Sequence, residues 1–279
     1  MARVLALDDI VTEFLLHTCR LCPPPTSRHA VVAAAWCGVL RSIVNTEFIP
    51  LTTGSVAEFY IEPILPLYGD IDVMFHLSTE LATPRGHPPP TQLPAEFHNY
   101  VKVHEIIDRV PDIIDSHFPA YVSLELRYLL TECSDDDKYN AVEYVRRQYR
   151  STHKYSDVAN IHGPALLKPA SDESQMLAMD TVFCVRCLSW PPQAADWPTR
   201  HRNYGWPDSA TLDRVVSNGC DVVGVAHRQC RQHEWMGENQ WRLSFSRTEI
   251  VLINSWMPVQ QIVYHVTIFR KDRAINRLC

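Results

Sequence analysis

Asp70 and Asp72, one residue apart in Asp70-Ile71-Asp72-Val73-Met74-Phe75, and Gly54-Ser55 some way before them are the side chains best suited to metal-assisted phosphate chemistry. If residues 70–77 form a strand, the side chains alternate, so the two carboxylates share one face roughly 7 Å apart at Cα, while Ile71 and Val73 turn to the core. Two acids held together repel each other. A hard divalent cation relieves that repulsion, and magnesium or manganese, which also takes substrate phosphates as ligands, suits the pair. Gly54 lets backbone approach a phosphate, and Ser55 can donate from its own N–H at a loop-to-helix junction. Asp-x-Asp by itself is common in loops and on solvated strand edges, so its meaning depends on what accompanies it. One further acid, Asp180, stands alone in the apolar run from Met176 to Val185. A lone buried carboxylate needs a cation or hydrogen-bond donors; the competing reading is a strand-end aspartate facing solvent.

The elements that would position these residues can be read from periodicity and turn residues. Residues 4–21 read as an amphipathic helix; the acids Asp8, Asp9 and Glu13 within it exclude a secretory segment or a membrane span. Pro23-Pro24-Pro25 separates it from a second helix over 28–46, which leads into the Gly54-Ser55 loop. Residues 83–94 are proline-rich and read as an exposed loop. Strands are expected at 101–103, 121–129, 176–188 and 220–226, a connection at 166–174, and helix from Ser246 onward. There is no internal repeat and no Walker-type or Rossmann glycine motif.

These motifs occur in an order that resembles a known family. Thr53-Gly54-Ser55 with Glu58, then Asp70-Ile71-Asp72, resembles the signature of the cyclic GMP-AMP synthase-like receptors within the male abnormal 21-like nucleotidyltransferases. His162-Gly163-Pro164-Ala165, the segment from Ser189-Trp190-Pro191 through Trp197, Arg200, Arg202 and Gly205-Trp206-Pro207, and Trp241-Arg242-Leu243-Ser244-Phe245-Ser246 with Glu249 follow in the family's order. The resemblance covers roughly residues 28 to 270. It implies an α+β nucleotidyltransferase fold, a mixed twisted sheet flanked by helices. Asp180 takes the place of the third metal-binding acid, so Asp70, Asp72 and Asp180 would hold two Mg2+ (or Mn2+) ions, with Asp180 also able to accept the attacking hydroxyl's proton. Thr53, Gly54 and Ser55 would grip the donor triphosphate, and Arg242, Ser244, Ser246 and Glu249 match positions around the bases and phosphates. ATP and GTP are the implied substrates and a cyclic dinucleotide such as cyclic GMP-AMP the implied product, an innate immune signal made in the cytoplasm. For Arg242 the competing reading is a surface salt bridge; for the serines it is helix N-capping. Trp190, Trp197, Trp206 and Trp241 read as core aromatics.

Composition is that of a soluble intracellular protein without a membrane segment: 46% hydrophobic residues over 279 positions can form a sizeable core, and nine scattered cysteines lack the spacing of a disulfide framework. Residues 1–197 carry 15 Lys+Arg against 25 Asp+Glu, whereas 198–279 carry 11 against 7, so the net −6 hides a basic C-terminal part. Arg146, Arg147, Arg150 and Lys154 would fall partly on one face of a helix over 139–152, a candidate nucleic-acid contact set against the simpler reading of a solvated face. Zinc is not expected. Cys184 and Cys187 have finger-like spacing, but an odd offset in a strand sends them to opposite faces, and Cys220, His227, Cys230 and His233 make only a loose quartet. The family's zinc-dependent member carries a cysteine-rich insertion after the Ser-Phe-Ser helix, and Arg247 to Lys271 has no cysteine. That leaves double-stranded RNA or another ligand as the implied activator.

The expected organisation is an N-terminal helix and linker at 1–27, a nucleotidyltransferase core at 28–245, and the start of a C-terminal helical lobe at 246–279. Family members extend that lobe further, so a truncated one is expected here, with Ile268 where the family has a lysine and Arg270 and Lys271 nearby. An intact acid triad favours an enzyme; a shortened lobe favours a catalytically inactive scaffold or interaction protein of the same family. A template-independent polymerase such as an oligoadenylate synthase shares the Gly-Ser and Asp-x-Asp elements without the Trp-Pro segment.

Overall fold

The computed structural model describes residues 47–54, 57, 71–108, 121–133, 138–148, 160–162, 165–168, 179–202, 205–224, 240–257, 260 and 263. The expected helices at 4–21 and 28–46, the proline-rich linker, Ser55, Glu58, Asp70, Arg150, Lys154, Gly163-Pro164, His227, Cys230, His233, Ile268, Arg270 and Lys271 lie outside the described residues.

Among the described residues ten strands form one mixed sheet: β1 (Phe48–Thr53), β2 (Ile71–Pro84), β3 (Tyr100–Ile107), β4 (Tyr121–Glu132), β5 (Tyr139–Gln148), β6 (Asn160–His162), β7 (Ala165–Lys168), β8 (Met179–Cys187), β9 (Cys220–Gly224) and β10 (Trp241–Ser244). Two α-helices, α1 (Ser209–Asn218) and α2 (Ser246–Asn254), complete an α+β arrangement among the described residues. β2 pairs in parallel with β3 and β8, and the remaining pairs are antiparallel. The pairings run β2–β3–β4–β10–β9–β8 and return to β2, so six strands close a ring. Its inside is filled by at least one buried residue from every strand of the ring: Ala82, Ile106, Leu124, Val185, Val222 and Leu243 belong to a single cluster. The opposite, outer face carries α2, which packs against α1, over β9 and as far as β1.

Period-2 alternation builds the strand that matters most. In β2, Val73 and Phe75 are buried, and Met74 joins Cys184 and Val223 in an outer-face cluster with Leu51 and Val182. The strand runs to Pro84 rather than ending near Leu77. Its register against β8 shifts between His76 and Leu81, and along its second half β3 replaces β1 as its other neighbour. Thr83 is accordingly a buried strand residue, and the exposed proline-rich loop begins at Arg85. Strands 101–103 and 121–129 are present and longer than expected.

Two expectations are overturned. Residues Tyr139–Gln148 are a strand, not a helix, paired with β4 from Tyr139↔Glu132 to Gln148↔Glu125. Tyr139, Val142, Tyr144 and Val145 are strand-forming types, and Tyr139 is tied by its N–H to Thr91 O and by its hydroxyl to His98 O. No helical face therefore groups Arg146 with Arg147, and the basic stripe loses its basis. Residues 166–168, read as part of a connection, lie in β7, which pairs with β8 through Leu167↔Asp180.

Local chemistry sets the ends of α1. Asp208 caps it by accepting from the Thr211 N–H at 2.7 Å, and Gly219 terminates it at φ +65°. A Cβ on Gly219 would overlap Cys187 O and sit 2.8 Å from Leu188 C. Gly219→Ala therefore lowers stability by roughly 1–3 kcal/mol, through left-handed strain and backbone overlap, read as a drop in the urea midpoint at unchanged slope. No helix among the described residues is long and apolar enough to cross a membrane.

Two buried histidines make stability depend on pH. Burial holds His76 down at about 4, with Arg247 and Arg186 adding to the effect and Asp221 opposing it; burial, then Lys102, holds His104 at about 3. Both lie below the ordinary 6.5, so on acidification the unfolded chain takes up protons that the folded chain refuses. Stability is full above about pH 6.5 and falls by on the order of a few kcal/mol as pH drops towards 4. Urea unfolding at pH 7.5, 6 and 5 reads this directly, and a flat profile would contradict it.

Candidate functional site

Asp72 and Asp180 are direct Cα partners on adjacent parallel strands, β2 and β8. Strand neighbours lie about 4.8 Å apart and paired residues point to the same face, so the two carboxylates leave the outer face side by side. Both residues are half-buried, and Asp180 Oδ1 is withdrawn from solvent. Two carboxylates about 5 Å apart repel by roughly 1–3 kcal/mol between bulk-water and protein-surface screening, which a divalent cation reverses.

Antiparallel pairing brings the third component. Thr53 at the end of β1 is the partner of Asp72, and its buried hydroxyl donates to Asp72 O at 3.5 Å. Gly54 follows at φ +64°, pressed against the acid: a Cβ there would overlap Asp72 Oδ2 and lie 2.7 Å from Cγ. Only a glycine lets the backbone pass this close, and the position also favours glycine by its left-handed φ. Thr53, Gly54, Asp72 and Asp180 thus meet in one place. Ser55, next to Gly54, and Asp70, two residues before Asp72, lie outside the described residues.

The remaining expected residues form a second group on the same face. Cys184 pairs with Val223 and Val223 with Arg242, which sets Arg242 roughly 13 Å along the strands and about 10 Å across them from Asp180. Arg242 is exposed, and no ion pair joins it to an acid among the described residues. Neither serine caps the helix. The N-cap of α2 is Phe245, without a side-chain cap; instead the Ser244 and Ser246 hydroxyls lie 3.2 Å apart, half-exposed, in hydrogen-bond contact with each other. Glu249 is exposed in the first turn of α2, favourable to the helix dipole.

Beneath α2 lies a set of charges that the sequence reading did not single out. Asp221 on β9 is wholly buried and accepts from Arg247 Nε at 2.8 Å and from the Cys184 thiol at 3.8 Å. Arg186 donates to Cys187 O at 2.7 Å and Cys220 O at 2.8 Å and also contacts Asn218 O. Asp221 sits in the apolar run Cys220-Asp221-Val222-Val223 and carries the same signal as Asp180, an isolated acid among apolar residues.

The tryptophans are structural in part. Trp241 is buried in the inner cluster, Trp190 packs with tilted rings against Trp197 and Phe245, and Trp206 packs on Trp256 while donating to Ser255 Oγ at 3.1 Å. Arg202 stacks over Trp197 and donates to the carbonyls of Trp197, Pro198 and Arg200, and Arg200 pairs with Asp196, so this segment is held by its own arginines. Cys184 and Cys187 do face apart: Cys184 lies in the outer cluster and Cys187 in the inner one beside Cys220. Among the described residues no group of three or more His, Cys, Asp and Glu converges on a metal position.

Comparison with known families adds one finding. Residues 133–255 match the family model described as the Mab-21 protein nucleotidyltransferase domain, a stretch under half of the chain. It contains Asp180, the Trp-Pro segment and Arg242 to Glu249, all of which are thus similar to that domain; Gly54 and Asp72 fall before it. The β2–β8 and β1–β2 pairings join those two residues to the matched part.

Proposed function

We propose that this chain is a metal-dependent nucleotidyltransferase whose donor site is made by Thr53, Gly54, Ser55, Asp70, Asp72 and Asp180. The observation that carries the reading is the register of Asp72 against Asp180, with Gly54 backbone laid on the Asp72 carboxylate. The residues fit a hard divalent ion: both acids supply oxygen donors on one face, and the glycine makes room for the Asp72 carboxylate to lie against the loop that would take the phosphates. Mg2+ or Mn2+ bound there would neutralise phosphate charge and make a bound hydroxyl more acidic. Thr53 holds the Asp72 backbone, the Gly54 and Ser55 backbone receives the triphosphate, and Asp180 accepts the attacking hydroxyl's proton, the last role being the one the family resemblance implies. Arg242 and the Ser244–Ser246 hydroxyl pair offer one cation and two donor-acceptors for the rest of the nucleotide.

Within that activity we assign ATP and GTP as substrates, a cyclic dinucleotide such as cyclic GMP-AMP as product, and double-stranded RNA or another ligand as activator, in cytoplasmic innate immune signalling. The support is the resemblance of the ordered motifs rather than geometry. The test is incubation with all four labelled nucleoside triphosphates and Mg2+ or Mn2+, with double-stranded RNA or DNA added, and Asp72→Asn as control. A metal-dependent product absent from the control is expected. No product under any of these conditions would leave the scaffold reading in its place.

A further inference from the structure

The corner from β10 into α2 has no side-chain cap, yet it presents two hydroxyls in a fixed relation, Ser244 Oγ to Ser246 Oγ at 3.2 Å. What holds it lies underneath. Asp221 is the Cα partner of Ser244, and Arg247, the residue after Ser246, puts its Nε 2.8 Å from Asp221 Oδ2. One ion pair therefore bridges the two ends of the Ser244-Phe245-Ser246 corner, from the strand beneath it to the first turn of the helix. The Phe245 ring, packed on Trp190 and the inner cluster, fixes only the middle. Arg186 cannot substitute for Arg247 at this position, because its guanidinium is committed to the Cys187, Cys220 and Asn218 carbonyls. Asp221 is 0% exposed, so removing Arg247 would leave it only the longer-range attraction of its strand neighbour Arg186 and no hydrogen-bonded cation, and the corner would shift rather than merely be exposed.

We infer that Asp221 and Arg247 are positioning residues: they aim the Ser244 and Ser246 hydroxyls at the sugar and base of a nucleoside triphosphate without touching it. This rests on the site reading above, in which the phosphates lie at Gly54 and the two acids, a separate place on the same face.

Calorimetric binding of ATP, GTP and inorganic tripolyphosphate, each with Mg2+, tests it in the wild-type chain and in Arg247→Met, Arg247→Lys and Asp221→Asn. Tripolyphosphate lacks sugar and base and reports the acid end alone. In Arg247→Met the preferred nucleotide weakens by about tenfold or more, as expected for misplacing two hydroxyl hydrogen bonds to it, while tripolyphosphate changes by less than about twofold. Arg247→Lys, which can restore the single contact, returns nucleotide affinity to within about threefold of wild type. Equal weakening of nucleotide and tripolyphosphate, or no weakening of either, overturns the inference. Wild-type binding of neither ligand overturns the site reading and the inference with it, a result distinct from both. Should Arg247→Met fail to fold, Asp221→Asn keeps the side-chain shape and carries the same comparison.

Discussion

Asp72→Asn is expected to lower metal-dependent nucleotidyl transfer by on the order of 10³-fold while leaving the thermal midpoint nearly unchanged. Asn keeps the volume and the backbone register between Thr53 and Asp180 but removes the negative charge. A ligand charge that helps neutralise a transferring phosphate accounts for several kcal/mol, and each 1.36 kcal/mol is tenfold in rate. Stability should hold or rise slightly, since one of two neighbouring carboxylates no longer repels the other. Asp180→Asn should behave alike. The double variant should lose little more than either single one, because residues that act as a unit are not additive. Steady-state rates in Mg2+ and Mn2+ beside circular dichroism melts check this. A single variant retaining a tenth of wild-type activity would remove these acids from the chemistry, and a large fall in midpoint would make them structural.

Gly54→Ala should be nearly as damaging to activity and also costly to the fold. The added Cβ overlaps Asp72 Oδ2, so the carboxylate must swing away from its place beside Asp180 or the β1 end must lift. Left-handed backbone adds roughly 1–2 kcal/mol for a residue with a Cβ. A fall of about 10²-fold in transfer is expected, since a misplacement of an ångström at the reacting centre costs that much, with stability lower by roughly 1–3 kcal/mol. The pattern separates from Asp72→Asn because activity and stability fall together. Retained activity in Gly54→Ala would mean that the close approach of backbone to acid is incidental.

The sequence made the acid strands legible because period-2 alternation needs nothing but neighbours. Val73 inward and Asp72 outward follow from the pleat alone, and so do the opposed faces of Cys184 and Cys187. The residues 139–148 were not legible in that way. Their arginines at 146 and 147, with Arg150 following in the sequence, invite a helical reading, and what decides for strand is the long-range ladder to β4 together with the Tyr139 anchors, neither of which is local. The lone-acid signal proved indiscriminate: it singles out Asp180 and Asp221 equally. Only the partners separate them, Asp72 across a parallel pair for one and the Arg247 guanidinium for the other. Serines at the start of a helix suggest caps, yet here the cap position falls on Phe245 between them, a one-residue difference that spacing cannot show.

The proposed function stands on Asp72 and Asp180 together holding a divalent ion with a nucleoside triphosphate. Its most direct test is electron paramagnetic resonance titration of Mn2+ into the chain with and without ATP, in the wild type and in Asp72→Asn and Asp180→Asn. The wild type is expected to remove free Mn2+ signal beyond what ATP alone removes, and either substitution to abolish the excess. Excess Mn2+ uptake that is equal in all three proteins, or absent from the wild type, would contradict it.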